Sequence, residues 1–186
     1  MKYLLTCDNV VLRPMTIEDS PLIVKWRNEE RVRKFYLYRE TFTLEGQEAY
    51  FHRMVETGKV VQLMICDPAT DEAIGCTVAS EINEEKRTAE IGVFMGDHAA
   101  PGKHLASHGM RALAFYVFQT RPVDTVYSRI FKDNIASRKM TEHTGLPYVR
   151  DLPGVLDSKG QPHDMVLHEA HRDTFLAAVR DVQWNP

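Results

Sequence analysis

TAEIGVFMGDHAAPGKHLASHGMRALAFYVF, residues 88–118, changes its repeat halfway along. TAEIGVFMG (88–96) carries β-branched and aromatic residues at strand spacing, whereas Leu105, Met110, Leu113, Ala114, Val117 and Phe118 recur at helical spacing. The segment therefore predicts a strand, a loop holding Gly102-Lys103, and a helix over 105–118. Free backbone N–H groups and the positive end of a helix dipole favour an anion at such a junction, so the loop reads as a seat for phosphates.

Upstream, VVQLMIC (60–66) and IGCTVASEI (74–82) are strand-like and are joined by the polar turns PATDEA and NEEKR, which predicts an antiparallel meander ending in 88–96. Before it, Val10–Pro14 is a short β-type run. Thr16 offers an N-cap for a helix to about Asn28, with Leu22, Ile23 and Trp26 facing inward. EERVRKF reads as a second short helix. A third begins at Thr43, with Gly58 near its end. Downstream, TVYSRIF (125–131) predicts a strand and IASRKMTEHTG a helix ending at Gly145. Tyr148-Val149 and HDMVLHEA (163–170) read as closing strands around a turn at Asp157–Gly160, and the tail HRDTFLAAVRDVQ reads as helix. The layout is a mixed α/β domain with an antiparallel first half, one strand–helix–strand crossover and a hairpin-like end.

At 186 residues, with 26% charged and 44% hydrophobic residues, the chain is expected to form one globular domain over residues 1–186. A net charge of −3 gives no electrostatic footprint for nucleic acid. Cys7, Cys66 and Cys76 have no metal-ligand spacing, and their odd number argues against a disulfide framework, so buried thiols in a reducing compartment are expected. MKYLLTCDN lacks the apolar run of a signal peptide and no segment is long enough to span a bilayer, so a cytoplasmic protein is expected, with no metal and no membrane partner.

The phosphates of a magnesium nucleotide fit poorly. Gly96 precedes Gly102 by one residue too many for a P-loop, and His104 stands where Ser or Thr must bind magnesium. The loop lacks the G-x-G-x-x-G spacing of a dinucleotide site and follows an antiparallel meander. What remains is strand, glycine-containing loop, long helix, strand, and then Asn-x-x-Ser opening another helix. VVLRPMTIEDSPLIVKWRN, AEIGVFMGD, PGKHLASHGMRALAFYVF, NIASRKMTEHTGL and GQPHDMVLHEA stand in this order over nearly the whole chain. In that order they resemble the GNAT N-acetyltransferase superfamily, particularly the branch of the ribosomal-protein and amino-sugar acetyltransferases.

The resemblance implies a GNAT fold, with a central, mostly antiparallel sheet of about seven strands and helices on both faces. It implies acetyl transfer from acetyl-coenzyme A, as cosubstrate, to a primary amine by direct attack in a ternary complex. The acceptor would be a small-molecule amine, an amino sugar or a protein N-terminus. The alternative is a non-catalytic acyl-coenzyme-binding module. A homodimer is the assembly to test for. Gly102, Lys103, His104, Leu105 and Ala106 would offer backbone to the pyrophosphate. Val93, Phe94 and Met95 would offer backbone to pantetheine and the thioester carbonyl, and Asn134 and Ser137 would reach the pantetheine arm. Of the loop positions Pro101, His104 and Ala106, only Ala106 conforms to the family's [QR]-x-x-G-x-[GA] pattern. Thr141 stands where members often carry a tyrosine that protonates the leaving thiolate.

Glu90 is the candidate base, because an amine must lose a proton to attack a thioester and a carboxylate can take it. Strand alternation equally allows Glu90 to be a charge on an exposed sheet face. Glu81, Asp97 and His98 stand behind it. Arg27, Asn28 and Tyr36 lie in the early helical region that borders the acceptor pocket in this family, although a helix end also accounts for the first two.

Overall fold

In the computed structural model, which describes residues 3–96 and 104–185, one nine-stranded sheet runs through the whole molecule. The chain order is β1 (Leu5–Cys7), β2 (Val10–Pro14), α1 (Ser20–Asn28), α2 (Glu30–Arg33), α3 (Leu44–Tyr50), β3 (Val61–Cys66), β4 (Ala73–Asn83) and β5 (Thr88–Met95). Then follow α4 (Leu105–Thr120), β6 (Thr125–Phe131), α5 (Ile135–Thr144), β7 (Tyr148–Leu156), β8 (Pro162–His171), α6 (Arg172–Ala178) and β9 (Val182–Trp184). Across the sheet the strands lie β7-β8-β6-β5-β4-β3-β2-β1-β9. Every neighbouring pair is antiparallel except β5–β6.

The local signals act as the residue types require. The 3₁₀ turn Ile17–Asp19 leads into α1, and the Asp19 carboxylate accepts the Thr16 N–H at 2.9 Å and both Arg13 terminal nitrogens at 2.7 Å. The Thr43 hydroxyl accepts the Gly46 N–H and caps α3, which continues as a π-helical turn over Phe51–Val55. Asn134 caps α5 by accepting the Ser137 N–H at 3.2 Å, and Gly145 closes that helix in the left-handed conformation.

Two cores lie on opposite faces of the sheet. On one, Met110, Leu113, Val117 and Phe118 of α4 pack against Leu5, Leu12, Leu63, Ile65 and Ile91. On the other, Ile23 and Trp26 of α1 pack with Val32 against Met64, Cys76 and Phe94. Cys7, Cys66 and Cys76 are all buried and none is in a disulfide, and burial pushes the Cys7 and Cys76 thiols up to about 12, where they keep their protons at neutral pH.

The sheet differs from expectation at its margins. It has nine strands rather than about seven, because β1 and β9, three residues each, pair with one another (Leu5↔Trp184, Cys7↔Val182). Strands so short show no periodicity: β1 also forms a tight hairpin with β2 (Leu5↔Leu12, Cys7↔Val10), whereas β9 exists only through β1, its partner from the far end of the chain. The tail is accordingly helical only over α6 and then turns into β9. The closing strand starting at Tyr148 runs on to Leu156, its register shifting between Leu152 and Val155, where Pro153-Gly154 stand. EERVRKF yields just the four-residue α2.

Candidate active site

The one parallel pairing opens the site. β5 and β6 are matched only at Thr88↔Thr125, Ala89↔Val126 and Glu90↔Tyr127, although β5 continues to Met95 and β6 to Phe131. Beyond Glu90 the strands diverge, while β5 stays bonded to β4 as far as Met95↔Gly75. That leaves the β6-facing edge of Ile91–Met95 without a strand partner, so its backbone groups need other partners. A cavity of about 920 Å³ occupies the split and extends under α1 and α3. Its lining includes Glu90, Val93, Phe94 and Met95 of β5, Ser128 and Arg129 of β6, Ala106 of α4, and Asn134, Ser137 and Thr141 at α5.

Most of the residues singled out in the sequence meet here. Val93, Phe94, Met95, Ala106, Asn134 and Ser137 line the cavity together, as do Glu90, Arg27 and Tyr36. Leu105 is buried in the α4 core instead. His104 precedes α4 in a left-handed conformation (φ 54°), and its ring stacks on His143 at 4.5 Å between centroids. Histidine tolerates that conformation better than most side chains, at some cost in strain. Gly102, Lys103, Asp97 and His98 lie outside the described residues.

Asn28 is not brought to the cavity. Its amide donates to the Phe42 carbonyl at 2.9 Å and accepts the Phe42 N–H at 2.8 Å, so it clamps the following loop onto α1. Glu81 does not line the cavity either. Its oxygens accept from Tyr127 (2.7 Å) and Arg129 (2.8 Å), and against partial burial these bonds hold the carboxyl below its ordinary range. Trp26 is core, 2% exposed. It lies so close to Gly96 that a Cβ there would stand 2.4 Å from the ring, which explains a glycine where the chain leaves β5.

Glu90 sits at the apex of the split. Its carboxylate receives Arg129 Nε at 2.9 Å and Nη2 at 2.5 Å, a two-pronged pair between neighbouring strands. The Glu90 contacts raise the Arg129 guanidinium further above its ordinary value, so it stays charged at every working pH. Arg129 was not singled out in the sequence, although the signal was present. Within TVYSRIF it alternates with the buried Val126, Ser128 and Ile130, and its register places it beyond Tyr127, the partner of Glu90.

Four buried polar atoms on cavity-lining side chains have no hydrogen-bond partner among the described residues: Arg27 Nε, Gln47 Nε2, Gln62 Oε1 and Thr141 Oγ1. Such atoms carry a desolvation penalty that a bound molecule or water can relieve. Arg27 lies over the rings of Tyr36 (3.7 Å to the centroid) and Phe42 (4.5 Å). Burial pushes the Tyr36 phenol up, so it stays neutral.

Residues 9–147 match the family model for the acetyltransferase (GNAT) domain, which covers the split strands, α4 and the Asn134 cap. The chain belongs to the GNAT acetyltransferase family. The N-acetyltransferase p20 of Bacillus licheniformis, itself uncharacterized, is 26% identical over 137 residues, 72% of this chain and 76% of its own length. An uncharacterized protein of Methanocaldococcus jannaschii is also 26% identical over 137 residues, 73% of this chain, and the match spans 28% of that longer protein. Among solved structures, the spermidine N-acetyltransferase of Vibrio cholerae in complex with CoA and spermine superposes with a TM-score of 0.76 at 17% identity, over 91% of this chain and 99% of that one. The GNAT fold expected from the sequence is thus the fold found. Among the described residues no helix is long and apolar enough to cross a membrane. Cys7, Asp8 and Asp181 form a cluster with metal-ligand spacing, but there the protonated Cys7 thiol donates to Asp181, which also pairs with Arg111.

Proposed function

We propose that this chain, as a single domain over its whole length, transfers an acetyl group from acetyl-coenzyme A to a primary amine. The observation that carries the reading is the divergence of β5 and β6 over a cavity lined by strand backbone, the α5 cap and one carboxylate. An extended acyl-pantetheine arm suits the strand-free edge of Val93–Met95, where Arg31 donates to the Met95 carbonyl at 3.1 Å and the remaining backbone groups offer the hydrogen bonds a strand would otherwise make. Fixed N–H groups of that edge would polarise the thioester carbonyl. Asn134 and Ser137 would flank the arm, and the start of α4, which reaches the cavity at Ala106, would offer its N–H groups to the pyrophosphate.

In the reaction, the amine nitrogen attacks the thioester carbon, an amide bond forms and the carbon–sulfur bond breaks. The electron pair passes to sulfur, which takes a proton from water. The amine's proton goes to Glu90, directly or through one water. A thiol with a pKa of about 8.5 is a tolerable leaving group near neutrality, so threonine at 141 in place of tyrosine is compatible with turnover.

The test is a pair of measurements. Acetyl-coenzyme A is expected to raise the melting temperature, by mass action worth about 2.7 kcal/mol at a hundredfold excess over Kd, while ATP with magnesium does not. Glu90→Gln is expected to lower kcat on the order of a hundredfold, with the coenzyme Kd unchanged. A melting shift with ATP alone overturns the coenzyme reading, and an unchanged kcat removes Glu90 as the base.

A further inference from the structure

The charges of the cavity are lopsided on its α1–α3 side. Its ionisable lining comprises Arg27, Arg31, Arg53 and Arg129 against Glu90, the one carboxylate among the described lining residues. Two of these arginines already have carboxylate partners: Arg129 holds Glu90 and Glu81, and Arg31 pairs with Glu29 at 2.5 Å. Arg27 and Arg53 form no ion pair among the described residues. The Tyr50 phenol feels both guanidiniums, which pull it down while burial pushes it up. On α3, lining the same cavity, Gln47 is 4% exposed and its amide nitrogen is one of the buried donors without a partner. The Arg27 Nε–H is another. The aromatic faces of Tyr36 and Phe42 offset part of the Arg27 charge but leave its Nε–H without an acceptor.

Buried, unpaired donors of one sign call for an acceptor of the other, and a guanidinium fork matches a carboxylate or a phosphate. We propose that the acceptor is a primary amine that also carries an anionic group, a carboxylate or a phosphate, bound by Arg27, Gln47 and Arg53 while the amine lies beside Glu90. This rests on the acetyl-transfer reading of the same cavity. It sets the chain apart from an enzyme for polyamines, because a second ammonium group would meet Arg27 and Arg53 and, among the described lining residues, no carboxylate but the Arg129-bound Glu90.

The experiment compares thiol release from acetyl-coenzyme A with ω-amino carboxylates, ω-aminoalkyl phosphates, plain alkylamines of the same lengths, and spermidine. In parallel, calorimetry measures each amine's binding to the protein loaded with coenzyme A. The anionic amines are expected to exceed the plain amines on the order of tenfold or more in kcat/KM, as for a charge-assisted contact, with spermidine lowest. Arg27→Gln and Gln47→Leu each shrink that preference, chiefly through KM. Arg53→Gln, at an exposed position on the cavity rim, does so without risk to folding. Which anion binds better identifies the source. The proposal is overturned if spermidine or plain amines bind and react as well as the anionic ones, or if Arg53→Gln and folded Arg27→Gln keep the full preference. Absence of thiol release from every amine would overturn the acetyl-transfer reading alone, since calorimetry still reads the anion site.

Discussion

At Gly109, α4 packs directly on Ile65 of the sheet, and filling that position is a quantitative test of how the site is held. A Cβ there would stand 2.4 Å from Ile65 Cδ1, 2.9 Å from Ile65 Cγ1 and 3.5 Å from Thr77 Cγ2. Carbon atoms prefer about 3.5–4.0 Å, so the added methyl overlaps Cδ1 by about 1 Å. Ile65 is 0% exposed and has little room to turn aside. Overpacking of this kind costs about 2 kcal/mol, and replacing glycine by alanine inside a helix returns about 1 kcal/mol, so Gly109→Ala should lose a net of about 1 kcal/mol. Ile65→Val removes the clashing Cδ1 and by itself costs about 1 kcal/mol through the cavity it leaves. In the double variant the alanine methyl fills that space, and stability should return to within about 0.5 kcal/mol of wild type, a coupling of about 2 kcal/mol. Urea unfolding, read as midpoint shifts at constant m, measures all four proteins. Because α4 reaches the cavity at Ala106 and Met110, Gly109→Ala should also raise the KM for acetyl-coenzyme A, and the second substitution should restore it. Additive losses, or a Gly109→Ala protein as stable as wild type, would refute the claim that this contact sets the height of α4 over the sheet.

Two further outcomes are expected. Burial disfavours the Asp19 carboxylate, but the paired Arg13 bonds and the Thr16 N–H outweigh it and hold the carboxyl below its ordinary range. Its stabilisation is therefore present above the unfolded value of about 3.9 and is lost as pH falls through the lower native value. Asp19→Asn should cost about 2 kcal/mol at neutral pH and flatten the acid side of the stability profile, and an unaltered profile would deny the pair this role. Thr141 is 1% exposed with an unpartnered hydroxyl, so Thr141→Val should keep or raise the melting temperature and reduce kcat less than tenfold. Loss of turnover with fold and coenzyme binding intact would make that hydroxyl a participant at the leaving sulfur.

Much of this protein was legible along the chain because the signals are local. The meander of β3 to β5 shows in its strand runs and turns, α4 in its apolar repeat, and α5 in an Asn134 cap and a Gly145 stop that need nothing beyond neighbouring residues. The ordered resemblance to the GNAT family let Glu90, Val93–Met95, Asn134 and Ser137 be named before their meeting in one cavity was visible. Tertiary structure alone decided the rest. β9 exists because residues at opposite ends of the chain pair, and three residues cannot advertise a partner so distant. Asn28 and Arg27 are sequence neighbours at one helix end, yet packing turns Asn28 to the Phe42 backbone and leaves Arg27 stacked in the cavity. Glu90 acquired Arg129, and Arg27 acquired Gln47 and Arg53, from other elements. Repeat and capping record which face of an element is apolar and where it stops. The charge balance of a cavity depends on which faces of several elements are folded against one another, and no single stretch of the chain carries that information.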